Sequence, residues 1–139
     1  MKQLSQEAGT LLPHTGAMCC IDVLTCCDAK TTRAEVVLRP GHALLDGSTL
    51  DRAGFVELAA QTAGLLQGLA LREKGLAPGL GMLVGIQGFE VIEDAHAGDT
   101  LCISVTREAE LSDVHILGFS VHRQESLLAK GCLKVYIPV

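Results

Sequence analysis

Asp51-Arg52-Ala53-Gly54-Phe55-Val56-Glu57-Leu58-Ala59-Ala60-Gln61 opens a proline-free stretch that runs through Leu65, Leu66 and Leu69 to Lys74 and stops at Gly75. It begins on an acid and closes on basic residues, the order a helix dipole favours, so residues 51–74 are expected to form one long helix. At 1.5 Å per residue that helix would be roughly 36 Å long. Its middle is apolar nearly all round, which implies burial on most faces instead of packing along one stripe. Gly54, Gly64 and Gly68 cost helix propensity but let other backbones come close, as a sheet wrapped around the helix would require. Within this setting Glu57 is out of place. A carboxyl flanked by Phe55, Val56, Leu58, Ala59 and Ala60 has little water, so it needs a partner, a neutral state or a function. Gln61, one turn on, shares its face.

Outside the helix the pattern changes to strands. Residues 18–28 and 31–39 are rich in β-branched and apolar side chains and are joined by Asp28-Ala29-Lys30, which suits a tight reversal. Further strands are expected at 80–92, 100–110, 114–123 and 127–137, with turn signals at Ala97-Gly98-Asp99, Ser112-Asp113 and Gln124-Glu125-Ser126. Gly79, Gly81, Gly85 and Gly88 lack the lysine and the strand-to-helix context of a phosphate loop and are read as bends in a strand. Strands segregated from a single helix mean an α+β layer, with one domain over residues 1–139 and a sheet of about six antiparallel strands.

Composition narrows the function. Hydrophobic residues make up 48% of the 139-residue chain and aromatic ones only 3%, so the core must be built from Val, Leu, Ile and Ala. The net charge of −5, with basic residues scattered singly, leaves no footprint for nucleic acid or an anionic membrane surface. The N-terminal residues are too polar for a signal-peptide core and no run of about 18 apolar residues is uninterrupted, so the expected setting is the cytoplasm. Cys19-Cys20 and Cys26-Cys27 are adjacent pairs without the gap of a zinc knuckle; they read as small core hydrophobes. His96, His115 and His122 are too far apart for a local metal motif, and no metal or cofactor is expected.

Several local sequences, in order, resemble the 3-hydroxyacyl-acyl-carrier-protein dehydratases of fatty acid synthesis, a family with the hotdog fold. Leu12-Pro13-His14 followed by an apolar strand containing Asp22 resembles their opening segment. Gly41-His42 resembles the start of their catalytic loop, Glu57-Leu58-Ala59-Ala60-Gln61 their helix motif, and Gly98-Asp99-Thr100-Leu101 a later turn. The loop departs from that family. Ala43-Leu44-Leu45-Asp46 replaces its Phe-Pro-Gly, and His42 stands one position further from Glu57. In this the chain is similar to the divergent dehydratase-like proteins encoded with aryl-polyene synthesis genes.

The resemblance implies a substrate, an acyl thioester on acyl carrier protein or coenzyme A, and a catalytic pair. His42 would be the base that takes the proton next to the carbonyl, and Glu57 the acid that protonates the leaving hydroxyl. His14, Gly54 and Gln61 would line or bind the substrate, with a helix N-terminal N–H near Gly54 facing the enolate oxygen. It also implies a dimer in which histidine and acid meet across the interface, either a homodimer or a heterodimer with another hotdog subunit. Two other functions stay open. A thioesterase would use Glu57, Asp46 or Asp51 to activate water, and a non-catalytic subunit would bind acyl chains or stabilise a partner.

Overall fold

The computed structural model describes the backbone of residues 2–7, 20–28, 30–73 and 82–136, and the side chains of 20–28, 30–65 and 82–136. In chain order the elements are β1 (Lys2–Glu7), β2 (Val23–Cys27), β3 (Thr31–Val37), β4 (Leu45–Asp46), β5 (Thr49–Leu50), α1 (Arg52–Glu73), β6 (Met82–Val91), β7 (Thr100–Leu111), β8 (Val114–Arg123) and β9 (Ser126–Tyr136). The long helix is within one residue of its expected bounds at each end. Seven strands form one antiparallel sheet in the order β1-β2-β3-β7-β8-β9-β6, against which α1 packs, making contact with β2, β3, β7 and β8.

Three strands were not foreseen. β1 extends the sheet as an edge strand paired to β2; Lys-Gln-Leu-Ser-Gln-Glu carries no apolar alternation, so its pairing rests on backbone hydrogen bonds that leave no trace in hydropathy. The two-residue strands β4 and β5 form a separate small hairpin, too short to show a period. β2 begins later than expected, at Val23. Just before it Asp22 is exposed and its carboxylate accepts the Val37 N–H at 2.8 Å and Arg39 at 3.3 Å.

The core follows from strand alternation. Leu101, Ile103 and Val105 of β7, Leu117, Phe119 and Val121 of β8, and Leu133 and Val135 of β9 are buried, and Phe55, Leu58 and Leu65 of α1 are fully enclosed. From Gly54 onward every described helix residue is buried or half-buried, which is the enclosure its all-round apolarity predicts. Thr62, buried here, donates its hydroxyl to the Leu58 carbonyl one turn back at 2.8 Å. Cys20 and Cys27 are buried and Cys26 is half-buried, as their reading as small hydrophobes requires. No described helix is long and apolar enough to cross a membrane.

Two features fix the start of α1. A Cβ on Gly54 would stand 2.7 Å from Leu50 Cδ1 and 3.4 Å from Leu44 Cβ, so the glycine leaves room for the buried Leu50 side chain of the β4–β5 hairpin on the first turn. On another side the Arg52 guanidinium lies 5.6 Å from the ring centre of Phe89, itself 6.2 Å from the ring of Phe119. This cation–π contact ties the helix start to β6.

Candidate functional site at the start of the long helix

The loop between β3 and α1 reverses at Gly41, whose φ of 87° is unfavourable for other residues. The His42 N–H donates to the Arg39 carbonyl at 2.9 Å, and its own carbonyl accepts from Leu45 N–H at 3.0 Å. The hairpin is then fastened to the segment before β7. Leu50 N–H donates to Ala95 O and Ala97 N–H to Ser48 O, each at 2.8 Å, and Thr49 bridges to His96.

That segment is clamped by Asp99. Its carboxylate accepts the His96 N–H and an Arg123 N–H, both at 2.9 Å, and Arg123 also donates to the Asp94 carbonyl at 3.2 Å. Burial opposes ionisation of Asp99, but the His96 amide and the Arg123 guanidinium outweigh it and hold the carboxyl below its usual range. The Gly98-Asp99 motif is thus a structural turn, with Gly98 at φ 96°.

Between the hairpin and the helix lies a cleft of 680 Å³, walled by Cys20, residues 43–46, Asp51, Ala53, Gly54 and Glu57. Glu57 is half-buried on this wall, more open than its apolar neighbours in sequence suggested, because the loop stands off the helix at that point. Gln61 orients it. The Cys20 N–H donates to Gln61 Oε1 at 2.7 Å, which turns the amide nitrogen of Gln61 toward Glu57 Oε1 at 2.9 Å. Gln61 is buried, and its fixed donor leaves Glu57 Oε2 as the oxygen able to carry a proton.

His42 is fixed from the other side of Cys20. Its Nε2 lies 3.1 Å from the Cys20 carbonyl and its Nδ1 accepts the Leu44 N–H at 3.2 Å. Together these bonds specify the neutral Nε2–H tautomer, with the one ring lone pair already used. His42 is not among the residues lining the cleft. Both expected partners are therefore held by one residue's backbone, but only the carboxyl faces the cavity.

Of the other expected site residues, Gly54 lines the cleft, yet its N–H is donated to the Asp51 carbonyl at 2.8 Å. The amides of Arg52 and Ala53 precede it at the helix end, where no intrahelical acceptor exists for them. Gln61 holds Glu57 in place. His14 lies outside the described residues. Asp46 and Asp51, named for water activation, both line the cleft. Sequence reading missed Cys20 as a hub, since nothing local marks a backbone group that meets residues 22 and 41 positions away. A second cleft, 430 Å³, lies on the opposite face of the sheet, around Ser104, Thr106, Ser120, Lys130 and Cys132. Among the described residues no group of three His, Cys, Asp or Glu is placed to hold a metal.

The fold has solved counterparts. A chain of the dehydratase heterocomplex ApeI:P from Xenorhabdus doucetiae superposes with a TM-score of 0.87 at 19% identity, over 96% of this chain and 92% of that one. The PaaI protein of the phenylacetic acid degradation operon of E. coli gives 0.62 at 15% identity, over 81% and 80%. A hypothetical thioesterase with coenzyme A from Streptococcus pneumoniae gives 0.65 at 12% identity, over 82% and 83%. At these identities the likeness is one of fold, the hotdog arrangement. No curated protein matches the chain. The profile of the ApeP-like family, ApeP dehydratase, matches residues 6–139, and the chain belongs to that family.

Proposed function

We propose that this chain is the acid-bearing subunit of a two-subunit dehydratase acting on 3-hydroxyacyl thioesters carried by acyl carrier protein or coenzyme A. The observation that carries this reading is the contrast between an oriented Glu57 carboxyl on the cleft wall and a His42 ring whose two nitrogens are both engaged by backbone. In the reaction a base removes the proton on the carbon next to the thioester carbonyl. Glu57 gives its proton to the hydroxyl on the following carbon, the C–O bond breaks, and an enoyl thioester and water leave. The Arg52 and Ala53 amides at the positive helix end are suited to the enolate oxygen that forms between these steps. The base comes from the partner subunit.

A partner has a place to bind. β6 ends the sheet with an open edge, and Met82, Leu83, Val84 and Ile86 on it are exposed with no charge among them. Residues 82–89 of this edge carry no charge or proline of the kind that blocks strand addition, the one charge of β6 being Glu90 near its end, and a second hotdog sheet would continue across it. The Xenorhabdus relative is itself part of a heterocomplex. A second reading, a thioesterase, is favoured by one observation: Asp46 and Asp51 share the cleft with Glu57 and could hold an attacking water.

The test is to incubate the purified chain, alone and with an ApeI-type subunit, with 3-hydroxyacyl and saturated acyl thioesters. Enoyl thioester formed only with the partner, and lost in Glu57→Gln, supports the proposal. Dehydration by the chain alone overturns the need for a partner. Free thiol from both substrates points to the thioesterase, and no product from any mixture leaves a non-catalytic subunit.

A further inference from the structure

We propose that His42 is a positioning residue, a latch that holds the 43–46 wall of the cleft against Cys20 in the segment leading into β2, and that it takes no proton from the substrate. This rests on the reading of Glu57 as the acid of the same cleft.

Four hydrogen bonds converge on His42. Its backbone bonds to Arg39 and Leu45 shape the loop, its Nδ1 accepts from Leu44 within that loop, and its Nε2–H reaches Cys20. The last is the only one of the four that crosses between loop and sheet entry. A base needs a lone pair directed at the substrate; neutral imidazole has one such pair, and here it is spent on the Leu44 N–H. Leu44 lines the cleft and also touches the position of a Gly54 Cβ, so the latch sets how closely this wall approaches the helix. The same Cys20 whose carbonyl anchors His42 uses its N–H to hold Gln61, and through it Glu57. The latch thereby fixes the spacing between the loop wall and the acid, which is where a 3-hydroxyacyl group would sit.

Glutamine and asparagine each reproduce half of this ring. In His42→Gln the side-chain amide N–H can reach toward Cys20, and in His42→Asn the side-chain oxygen can accept from Leu44, but neither amide can act as a base. For a latch, His42→Ala should raise KM about fivefold to tenfold with kcat within about threefold, as expected for lost hydrogen bonds of uniform effect. His42→Gln should recover a good part of that loss. For a base, His42→Ala, His42→Gln and His42→Asn should all lower kcat by about 10²- to 10⁴-fold with little change in KM. These rates are read on the complex with an ApeI-type subunit.

Two measurements need no activity. Ring ¹⁵N shifts of the full chain should show Nε2 protonated and Nδ1 unprotonated, and hydrogen exchange at the Leu44 amide should be slow and become fast in His42→Ala. A ring protonated on Nδ1, or a Leu44 amide whose exchange His42→Ala leaves unaltered, would overturn the latch. If the wild-type complex dehydrates nothing, the proposed function fails while the ring and exchange data still decide this inference.

Discussion

The two walls of the cleft are anchored to the same residue and put their side chains to opposite uses. On the helix wall, Cys20 N–H orders Gln61, and Gln61 presents the Glu57 carboxyl to the cavity. On the loop wall, Cys20 C=O draws the His42 ring away from the cavity and into the backbone. A histidine and an acid close together in a motif are therefore not yet a catalytic pair. What separates them in this chain is geometry: Glu57 lines the cleft, while both ring nitrogens of His42 are engaged by backbone.

That contrast can be broken most severely at Glu57. Replacing it with glutamine removes the carboxyl proposed as proton donor while keeping the Gln61 contact possible, and on that proposal dehydration by the complex should fall by about 10²- to 10⁴-fold with the fold intact. A loss under about threefold, measured at saturating 3-hydroxyacyl thioester, would remove Glu57 from the chemistry. Gln61→Leu comes next. It leaves the buried Cys20 N–H without this acceptor and Glu57 without its donor, and denaturant unfolding should show about 1–3 kcal/mol of lost stability. An unchanged midpoint would mean the hub does not bear on the fold.

Gly54→Ala probes the line along which the walls meet. The added methyl would fall 2.7 Å from Leu50 Cδ1, so the buried Leu50 side chain must shift, at a cost of about 1–2 kcal/mol seen as a lower Tm. The smallest effect is expected at the loop's distant anchor. Asp99 has a folded pKa held below its unfolded value, so its contribution to stability is present above about pH 4 and lost as pH falls through the lowered folded value. Asp99→Asn should lower Tm at neutral pH, by about 1 kcal/mol in stability, and the gap from wild type should close in acid. A gap independent of pH would show that shape, not charge, makes the clamp.

Much of the fold was legible because it depends on patterns a chain carries locally. The all-round apolarity of residues 55–65 meant enclosure, and the alternation Leu101, Ile103, Val105 meant one buried face. Both are periodicities of the backbone itself. Glu57 and Gln61 could be paired for the same reason, since four residues make one helical turn. β1 could not be read from hydropathy, because an edge strand formed by backbone bonds needs no apolar side chains. The open setting of Glu57 could not be read either. Its sequence neighbours are apolar, but its spatial neighbour is a cleft made by a loop that stands off the helix.

The sequence by itself determined a long enclosed helix, an antiparallel sheet, a carboxyl near the helix start with an amide one turn behind it, and a glycine-hinged loop carrying a histidine. Those are consequences of residue spacing and of which side chains water rejects. Only the tertiary structure decided which way the histidine faces. Its ring is directed by a carbonyl 22 positions away and an amide two positions on. The strength of those bonds depends on distance and angle in three dimensions, which no spacing along the chain encodes.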